Sequence, residues 1–481
     1  MLDLSGCQAP PEAKAKEPCT VSQDSCGPPE ACDLPPASLL DAGSIAVGAA
    51  RDDAAIDGAT IPSAEAGATP GGESIVSKPT TVSITFDDTF IDQMKVKDAL
   101  RAAGLRATFY VNSARIGEDT YMTEAMLHAL EADGHEIAGH TVNHPNLPTV
   151  DPDEQRRQIC NDRFTLLRMG FRVTSLAYPH GAYSPVTQEI AAACGYNSAR
   201  SVGSLGCDGC PGGESMAPRD PFAIRTPVSI KCNTTLDAMK NQVLAAERGS
   251  GGWVPIVLHH VCNRCGRNSV PPATLIEFFG WLAARAARGT VVRTVHEIIG
   301  GDVKPGVPGP PAPLREVQRG NILRNPGFEE DADGDGTPDC WLKGGDGANT
   351  FTFGRVPDAH TGSFAERLEV TAFTSGARRI LTRQDLGFCA PLAQAGHRYA
   401  LAAWYKSTTA PRFSVYYREP SGFWKYWTQS RLLPVCGAWC EARWTIPEAL
   451  PADADSISVS LTLDSVGAIT MDDFTLVDTS E

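Results

Sequence analysis

The stretch Thr81-Val82-Ser83-Ile84-Thr85-Phe86-Asp87-Asp88 decides the fold of the first half of this chain. Its β-branched and apolar residues predict a buried strand, and that strand ends in two adjacent carboxylates. Because adjacent residues on a strand point to opposite faces, Asp87 and Asp88 can serve one site only if the strand end bends. Active sites in α/β folds are often built at the carboxyl ends of strands, so we expect functional side chains to meet here.

A second segment, Gly139-His140-Thr141-Val142-Asn143-His144, places two histidines four residues apart. That spacing lets two imidazoles reach one ion, as in helical zinc motifs. Pro145 biases His144 away from helical geometry, so we interpret the segment as a strand end that runs into a turn. One carboxylate and two imidazoles would make a three-ligand metal site with an open position for water, which is the catalytic zinc pattern.

Strands and helices alternate through the first part of the chain, which predicts a mostly parallel sheet, either open or closed into a barrel. The predicted strands are 82–86, 107–111, 136–138, 173–178, 255–258 and 291–292, and the predicted helices are 92–103, 123–133, 153–169, 185–194 and 275–288.

The segment from Lys304 to Pro313 contains five prolines and predicts a semi-rigid spacer between domains. Beyond it, short alternating stretches and Gly-rich turns predict an antiparallel β-sandwich or jelly roll. We therefore divide the chain into a disordered tether, an α/β domain, a Pro-rich linker and a β-sandwich domain, at 1–78, 79–303, 304–318 and 319–481.

The charge and the cysteines restrict the compartment and the partners. A net charge of −15 argues against nucleic acid and anionic membrane surfaces as partners. The 15 cysteines favour disulfides and export, with zinc ribbons as the cytosolic alternative. Leu4-Ser5-Gly6-Cys7 resembles a lipobox, so a lipid anchor at Cys7 is one interpretation and a chance match is the other. No apolar signal segment follows Met1, so a signal peptide would have to lie upstream of it.

Four motifs, in order, resemble those of the polysaccharide deacetylases, the NodB-homology carbohydrate esterases. They are Thr85-Phe86-Asp87-Asp88, His140-Thr141-Val142-Asn143-His144, Ala177-Tyr178-Pro179-His180-Gly181 and Val257-Leu258-His259. The resemblance implies a distorted (β/α) barrel and an exported, extracellular or cell-surface hydrolase. Its substrate would be an N-acetylated polysaccharide: peptidoglycan, a chitin-like polymer or poly-N-acetylglucosamine. The same metal and water would also serve an O-acetyl esterase acting on xylan.

The resemblance also implies a role for each motif residue. Asp88, His140 and His144 would bind a divalent metal, with zinc as the first choice. Asp87 would be the general base, and His259 the acid that protonates the leaving amine, although adjacent His260 leaves a one-residue ambiguity. The oxyanion and the substrate would meet the segment that contains Tyr178 and His180.

One departure from the family pattern bears on activity. The arginine that usually orients the catalytic aspartate is replaced by Ala177, and we predict that Arg225 supplies the missing support. The missing arginine also keeps open a hypothesis of another class, a non-catalytic surface protein that binds glycans.

The last domain resembles jelly-roll carbohydrate-binding modules at Asn325-Pro326-Gly327-Phe328-Glu329 and at Met471-Asp472-Asp473-Phe474. A nearby acidic loop is similar to a calcium loop, with an acidic solvated turn as the alternative; its candidate ligands are Asp331, Asp333, Asp335 and Asp339. The aromatic residues Phe423, Trp424, Tyr426 and Trp427 either stack on sugar rings or pack in the core. Cys262 and Cys265 either form a disulfide that braces the catalytic loop or bind zinc.

Overall fold

The structure is a computed structural model that describes residues 78–312 and 320–480. Except for Lys78, the predicted tether lies outside these residues, as does Cys7. The first domain contains ten strands and seven α-helices within the described residues: β1 Thr80–Phe86, α1 Lys97–Ala102, β2 Ala107–Val111, α2 Glu124–Ala132, β3 Glu136–Gly139, α3 Pro152–Arg168, β4 Ser175–Ala177, α4 Pro185–Ala193, β5 Ser198–Ser204, β6 Ile224–Thr226, α5 Leu236–Arg248, β7 Gly252–Leu258, β8 His260–Val261, β9 Ser269–Val270, α6 Pro272–Ala284, β10 Thr290–Val292 and α7 Val295–Ile299.

Eight of these strands form one parallel sheet, in the order β10-β1-β2-β3-β4-β5-β6, with β7 paired along the whole of β1. The sheet curls into a half-barrel, which confirms the predicted barrel-type α/β fold. Strand β1 is buried along its whole length because it has neighbours on both edges and helices over the sheet. Its carboxyl end therefore opens at the rim where the other parallel strands also end.

Local signals account for the helix boundaries that the sequence predicts well. Asp151 caps α3 by accepting hydrogen bonds from the backbone N–H groups of Asp153 (2.9 Å) and Glu154 (3.0 Å), and Pro152 takes the first helical position. Ser184 and Thr187 form a capping box at the start of α4. The sequence did not predict β5, β6 or α5; β5 pairs with β4, and β6 pairs with β5 at the end of the sheet.

The predicted linker does not stand free where the structure describes it. Arg163 on α3 donates from Nη2 to the carbonyl oxygen of Lys304 (2.7 Å), and the N–H of Gly309 donates to Oδ1 of Asn161 (2.8 Å). The proline-rich segment therefore contacts α3 at Lys304 and at Gly309.

Within residues 320–480, the second domain contains two five-stranded antiparallel sheets, as the alternating pattern predicts. One sheet has the order β11-β14-β19-β16-β17 and the other β12-β13-β20-β15-β18. The strands are β11 Trp341–Asp346, β12 Asn349–Val356, β13 Ala365–Phe373, β14 Ala377–Thr382, β15 Tyr399–Ser407, β16 Arg412–Arg418, β17 Trp424–Gln429, β18 Cys440–Thr445, β19 Ser456–Leu463 and β20 Gly467–Asp478.

The two motifs that resemble carbohydrate-binding modules meet in space. The N–H of Phe474 donates to the carbonyl oxygen of Pro326 (2.9 Å), and the ring of Phe474 contacts those of Phe328 and Trp341. These buried rings join the two ends of the domain and form part of its core.

The cysteines whose pairing is described form disulfides rather than zinc clusters. Five bridges have both partners in the described ranges: Cys160–Cys194, Cys207–Cys210, Cys262–Cys265, Cys340–Cys389 and Cys436–Cys440. Across residues 78–312 and 320–480, none of the helices combines the length and the apolar character that crossing a membrane requires.

Gly139, the last residue of β3, tests how tightly this sheet is packed. A Cβ there would lie 2.0 Å from the hydroxyl of Tyr196 and 2.9 Å from Oδ2 of Asp162. We expect Gly139→Ala to lower the free energy of unfolding by about 1–3 kcal/mol, measured by denaturant titration, because both groups must move. Gly280→Ala is the matched control, since Gly280 is an exposed residue of α6 and nothing lies within 4 Å of its Cβ; it should leave stability unchanged or slightly raised. Equal effects of the two variants would contradict the expectation.

Candidate active site

The end of β1 bends, as a shared site for two adjacent carboxylates requires. Asp88 and Thr89 both have left-handed backbone conformations, with φ of 74° and 66°. The neighbourhood holds this strained turn: the N–H of Asn112 donates to Oγ1 of Thr89 (2.8 Å), and Nε2 of Gln93 donates to the carbonyl oxygen of Asp87 (2.5 Å). Asp87 and Asp88 therefore lie on the same rim of the sheet.

Asp88 meets both histidines of the second motif. Its Oδ1 lies 3.5 Å from Nε2 of His140 and 3.3 Å from Nε2 of His144. One ligand atom from each of the three residues lies within 4.8 Å of the others. His144 reaches this point from a turn, with φ of 66°, rather than from a helix, as Pro145 predicts.

Backbone contacts orient His140. Its Nδ1 lies 2.8 Å from the carbonyl oxygen of Ala177, so this nitrogen carries the proton and Nε2 is left as the ligand atom. The His140 N–H donates to Oδ2 of Asp162 (3.1 Å), and Nδ2 of Asn112 donates to the His140 carbonyl oxygen (2.5 Å). The sequence analysis did not identify Asp162 or Asn112.

The charges in the cluster suit a cation. Burial alone would raise the pKa of Asp88, but His144, His140 and His259 beside it hold that pKa well below its usual range. Burial holds the pKa of His144 well below its usual range as well. Burial also lowers the pKa of His140, but Asp88 and Asp87 beside it outweigh burial and raise that pKa. Ionised Asp88 and neutral His144 are in the protonation states in which these groups bind metal.

An unsatisfied oxygen shows that a metal ion fits these residues. Oδ1 of Asp88 is buried and has no hydrogen-bond partner among the described residues, although both histidine Nε2 atoms face it. A buried carboxylate oxygen without a donor costs about 1–3 kcal/mol or more, and a cation would remove that cost. The donor set of one carboxylate and two imidazoles is one that zinc accepts.

Arg200, not Arg225, lies next to Asp87. Nη2 of Arg200 forms an ion pair with Oδ1 of Asp87, and both side chains are buried. Arg225 instead pairs with Glu214, with Nε–Oε2 and Nη2–Oε1 distances of 2.8 and 2.7 Å. The prediction for Arg225 is therefore wrong, because Glu214 already occupies its guanidinium.

The strand register explains how Arg200 takes the place that Ala177 leaves. Ala177 on β4 pairs directly with Arg200 on β5, and paired residues on neighbouring strands point to the same face. A guanidinium on β5 thus reaches the position that the family pattern fills from β4. The ring of Tyr110 lies under it, 4.6 Å from Cζ of Arg200.

The structure separates the two adjacent histidines. Nε2 of His259 lies 3.9 Å from Oδ2 of Asp87. His260 turns away: its Nδ1 lies 2.9 Å from Oδ2 of Asp92, and its ring stacks on Phe90 at 3.6 Å between centroids. Of this pair, His259 faces the Asp87 carboxylate and His260 faces that of Asp92.

The third motif divides into a core residue and a site residue. The Tyr178 side chain is buried, and its hydroxyl donates to the carbonyl oxygen of Phe222 (3.0 Å). The prediction that Tyr178 meets the substrate therefore fails for its side chain. His180 lies at the site, with its ring 4.6 Å from that of His144 and with φ of 59°.

The acidic loop of the second domain brings together three of its four candidate ligands. Carboxylate oxygens of Asp331, Asp333 and Asp335 lie within 4.8 Å of one another. Asp339 is not in this group; its Oδ2 accepts a hydrogen bond from the N–H of Ala332 (3.2 Å). Cys262 and Cys265 form a disulfide, so their thiolates are not available to zinc.

Comparison with known proteins identifies the family that the first domain resembles. Residues 75–199 match the family model for polysaccharide deacetylases. This part of the chain is a polysaccharide deacetylase domain. A probable peptidoglycan-N-acetylglucosamine deacetylase from Arthroderma benhamiae is 34% identical over 120 residues, which cover 24% of this chain and 27% of that protein. A peptidoglycan-N-acetylglucosamine deacetylase from Bacillus cereus is 32% identical over 103 residues, or 21% of this chain and 36% of that protein.

The chain covers well under half of the length of each of these two relatives. Among solved structures, a family 4 carbohydrate esterase from Streptomyces lividans in complex with acetate aligns with 44% of this chain and 92% of that chain, at 17% identity and a TM-score of 0.30. The family match ends at residue 199, so it stops one residue short of Arg200 and does not reach His259.

The pairing of Ala177 with Arg200 can be tested by moving the guanidinium from position 200 to position 177. We expect Arg200→Met to lower the free energy of unfolding by about 3–5 kcal/mol, because the Asp87 carboxylate stays buried without its partner. The double variant Ala177→Arg/Arg200→Ala returns a guanidinium from the neighbouring strand and should recover part of that loss in denaturant unfolding. Arg225→Met is the control and should cost less, because the Arg225 guanidinium is partly open to water and buried Glu214 keeps hydrogen bonds from the N–H groups of Ser215 and Arg225. A larger loss in Arg225→Met than in Arg200→Met would contradict this assignment.

Proposed function

We propose that this protein is a metal-dependent hydrolase that removes acetyl groups from an N-acetylated polysaccharide such as peptidoglycan, a chitin-like polymer or poly-N-acetylglucosamine. One observation carries the proposal: the ligand group Asp88, His140 and His144 lies beside the Asp87–His259 pair at the rim of a parallel sheet. The relatives named as peptidoglycan deacetylases support this choice of substrate class.

The chemistry follows from the positions of the side chains. A divalent ion held by the three ligands would polarise the acetyl carbonyl and acidify a water molecule. Asp87 would take the proton from that water, and its ion pair with Arg200 would hold the carboxylate in position. His259, which lies 3.9 Å from Asp87, would give a proton to the departing amine. His180, beside His144, borders the space where the acetyl oxygen would develop charge.

The reason for considering a non-catalytic glycan-binding protein is weaker once Arg200 is located. That hypothesis depended on the missing arginine at Ala177, and a buried guanidinium from β5 contacts Asp87 instead. The residues that we propose as base, metal ligands and acid all lie at one site, and a protein that only binds glycans does not need such a set.

We also propose that the protein works outside the cytoplasm, where its disulfides persist. The relatives named for peptidoglycan deacetylation support the same compartment. The lipid anchor at Cys7 remains an expectation from the sequence. For the second domain, we propose carbohydrate binding and calcium binding at Asp331, Asp333 and Asp335.

Acetate release tests the main proposal. The purified, oxidised, zinc-loaded chain should release acetate from N-acetylated glycans, and a chelator should abolish this release, since the ligands alone cannot activate water. The panel should include acetylated xylan, because release from xylan alone would identify an O-acetyl esterase instead. Silence on the whole panel with zinc bound would overturn the enzymatic proposal.

The adjacent histidines provide a matched pair of variants. We expect His259→Gln to lower kcat by roughly 10²–10⁴-fold, because it removes the general acid. His260→Gln should change kcat much less, because His260 contacts Asp92 rather than Asp87. Steady-state acetate release measures both. A larger loss in His260→Gln would assign the acid to the other residue.

Calcium binding is tested by thermal unfolding. Adding calcium should raise the Tm of the chain, and Asp333→Asn combined with Asp335→Asn should remove this increase, because two of the three clustered oxygen donors lose their charge. Magnesium at equal concentration is the control. An unchanged Tm in calcium would favour the acidic solvated turn.

A further inference from the structure

The second domain touches the metal-ligand loop of the deacetylase domain. The turn between β16 and β17 approaches the residue that precedes His144: Nδ2 of Asn143 donates to the carbonyl oxygen of Gly422 (3.3 Å). Gly422 has φ of 94°, and a Cβ there would lie 2.7 Å from Cγ1 of Val142. Backbone of one domain thus packs directly against the histidine motif of the other.

Charged and aromatic contacts hold this turn in place. Lys425 pairs with Glu118 of the deacetylase domain (2.8 Å) and with Glu419 of its own domain (2.6 Å). The ring of Phe423 meets that of Tyr121 edge to face, with 6.2 Å between centroids. An ion-pair network together with an aromatic contact favours a fixed position over a loose encounter.

A second set of contacts connects the second domain to the same loop through helix α3. The N–H of Leu386, in the second domain, donates to Oε1 of buried Glu154 on α3 (2.9 Å). Gln158 donates to the same oxygen (2.8 Å), and its own Oε1 accepts from the N–H of Asn143 (3.2 Å). The position of the second domain is therefore linked through α3 to the loop that carries His144.

A cavity of about 130 Å³ opens between the domains at this contact. Arg115 and Asn143 line it from the deacetylase domain, and Gln384, Phe423 and Trp424 line it from the second domain.

The lining has the chemistry of a sugar site. Aromatic rings offer flat faces for the C–H groups of a sugar, and a guanidinium and two amides offer hydrogen bonds for its hydroxyl and acetamido oxygens. Aromatic residues also continue beyond the cavity. Tyr426 lies two residues after Trp424 on β17, so both point to one face, and Tyr416 pairs with Tyr426 on the neighbouring strand. Tyr426 is 53% exposed.

We propose that the two domains form one composite cleft, in which Phe423 and Trp424 bind a sugar residue of the same glycan chain whose acetyl group lies at the metal ligands. This inference rests on the proposed function for its substrate. It gives the second domain a place in the active site, beyond raising the local concentration of polymer. Glycans long enough to reach both the ligand group and Trp424 would then bind better than a single sugar.

The test uses the full chain and a ladder of N-acetylglucosamine oligomers from one to six sugars. Binding is measured by calorimetry in the Asp87→Asn background, and acetate release is measured in the otherwise unaltered chain. Trp424→Ala should weaken hexamer binding and raise KM roughly five- to tenfold, as expected for the loss of one stacked ring. Trp424→Phe should restore most of the affinity. Trp439→Ala is the matched control, because this tryptophan packs beside His360 and Lys406, close to the other sheet of the same domain.

Each outcome decides a different point. Hexamer binding that falls in Trp424→Ala but not in Trp439→Ala supports the composite cleft, whether or not acetate is released. Acetate release with hexamer affinity unchanged in Trp424→Ala overturns the cleft and leaves the proposed function intact. Trp424-dependent binding without acetate release overturns the function and keeps the cleft. A chain that neither binds nor deacetylates any oligomer of the ladder overturns the cleft as stated. Thermal unfolding of Trp424→Ala near that of the parent chain excludes a folding defect.

Discussion

Two consecutive left-handed residues at the end of β1 are the constraint on which the site depends. Without them, strand alternation would send Asp87 and Asp88 to opposite faces of the sheet. Such conformations cost roughly 1–3 kcal/mol each in a residue with a side chain, so the surroundings must impose them. The buried strand before the turn and the hydrogen bonds from Gln93 and Asn112 do so. One carboxylate is then free to face the histidine pair while the other faces Arg200 and His259.

The sequence predicts those parts of this arrangement that apolar patterns and short motifs encode. The β1 stretch, the bend that it requires, and the ligand pair His140 and His144 can all be read from local residues. Arg200 could not be found in this way, because β5 has the composition Ser-Ala-Arg-Ser-Val-Gly-Ser and shows no apolar alternation. Strand β5 is buried by the strands beside it, and the sequence of one strand does not show which strands lie beside it. The choice of Arg225 failed for the same reason, since its partner Glu214 is distant from any motif.

Helix α3 shows a second limit of sequence patterns. Glu154, Gln158 and Asp162 recur every four residues, which from the sequence alone predicts a solvated polar face. The structure buries all three. Each one binds a different part of the site: Glu154 holds Leu386 of the second domain, Gln158 holds Asn143, and Asp162 holds the backbone of His140. This polar face joins the second domain to the metal-ligand loop. Only the packed structure shows that the face is buried.

The pairing of Ala177 with Arg200 has a consequence for how such proteins are sorted into active and inactive members. Asp87 pairs with a guanidinium at one position on the rim of the sheet, and a residue of either β4 or β5 can place a guanidinium there. If only the motif on β4 were inspected, this chain would be classed with members that have lost the arginine of the pattern. If members were compared by the side chains at each position in the sheet, it would be classed with those that keep an arginine beside Asp87.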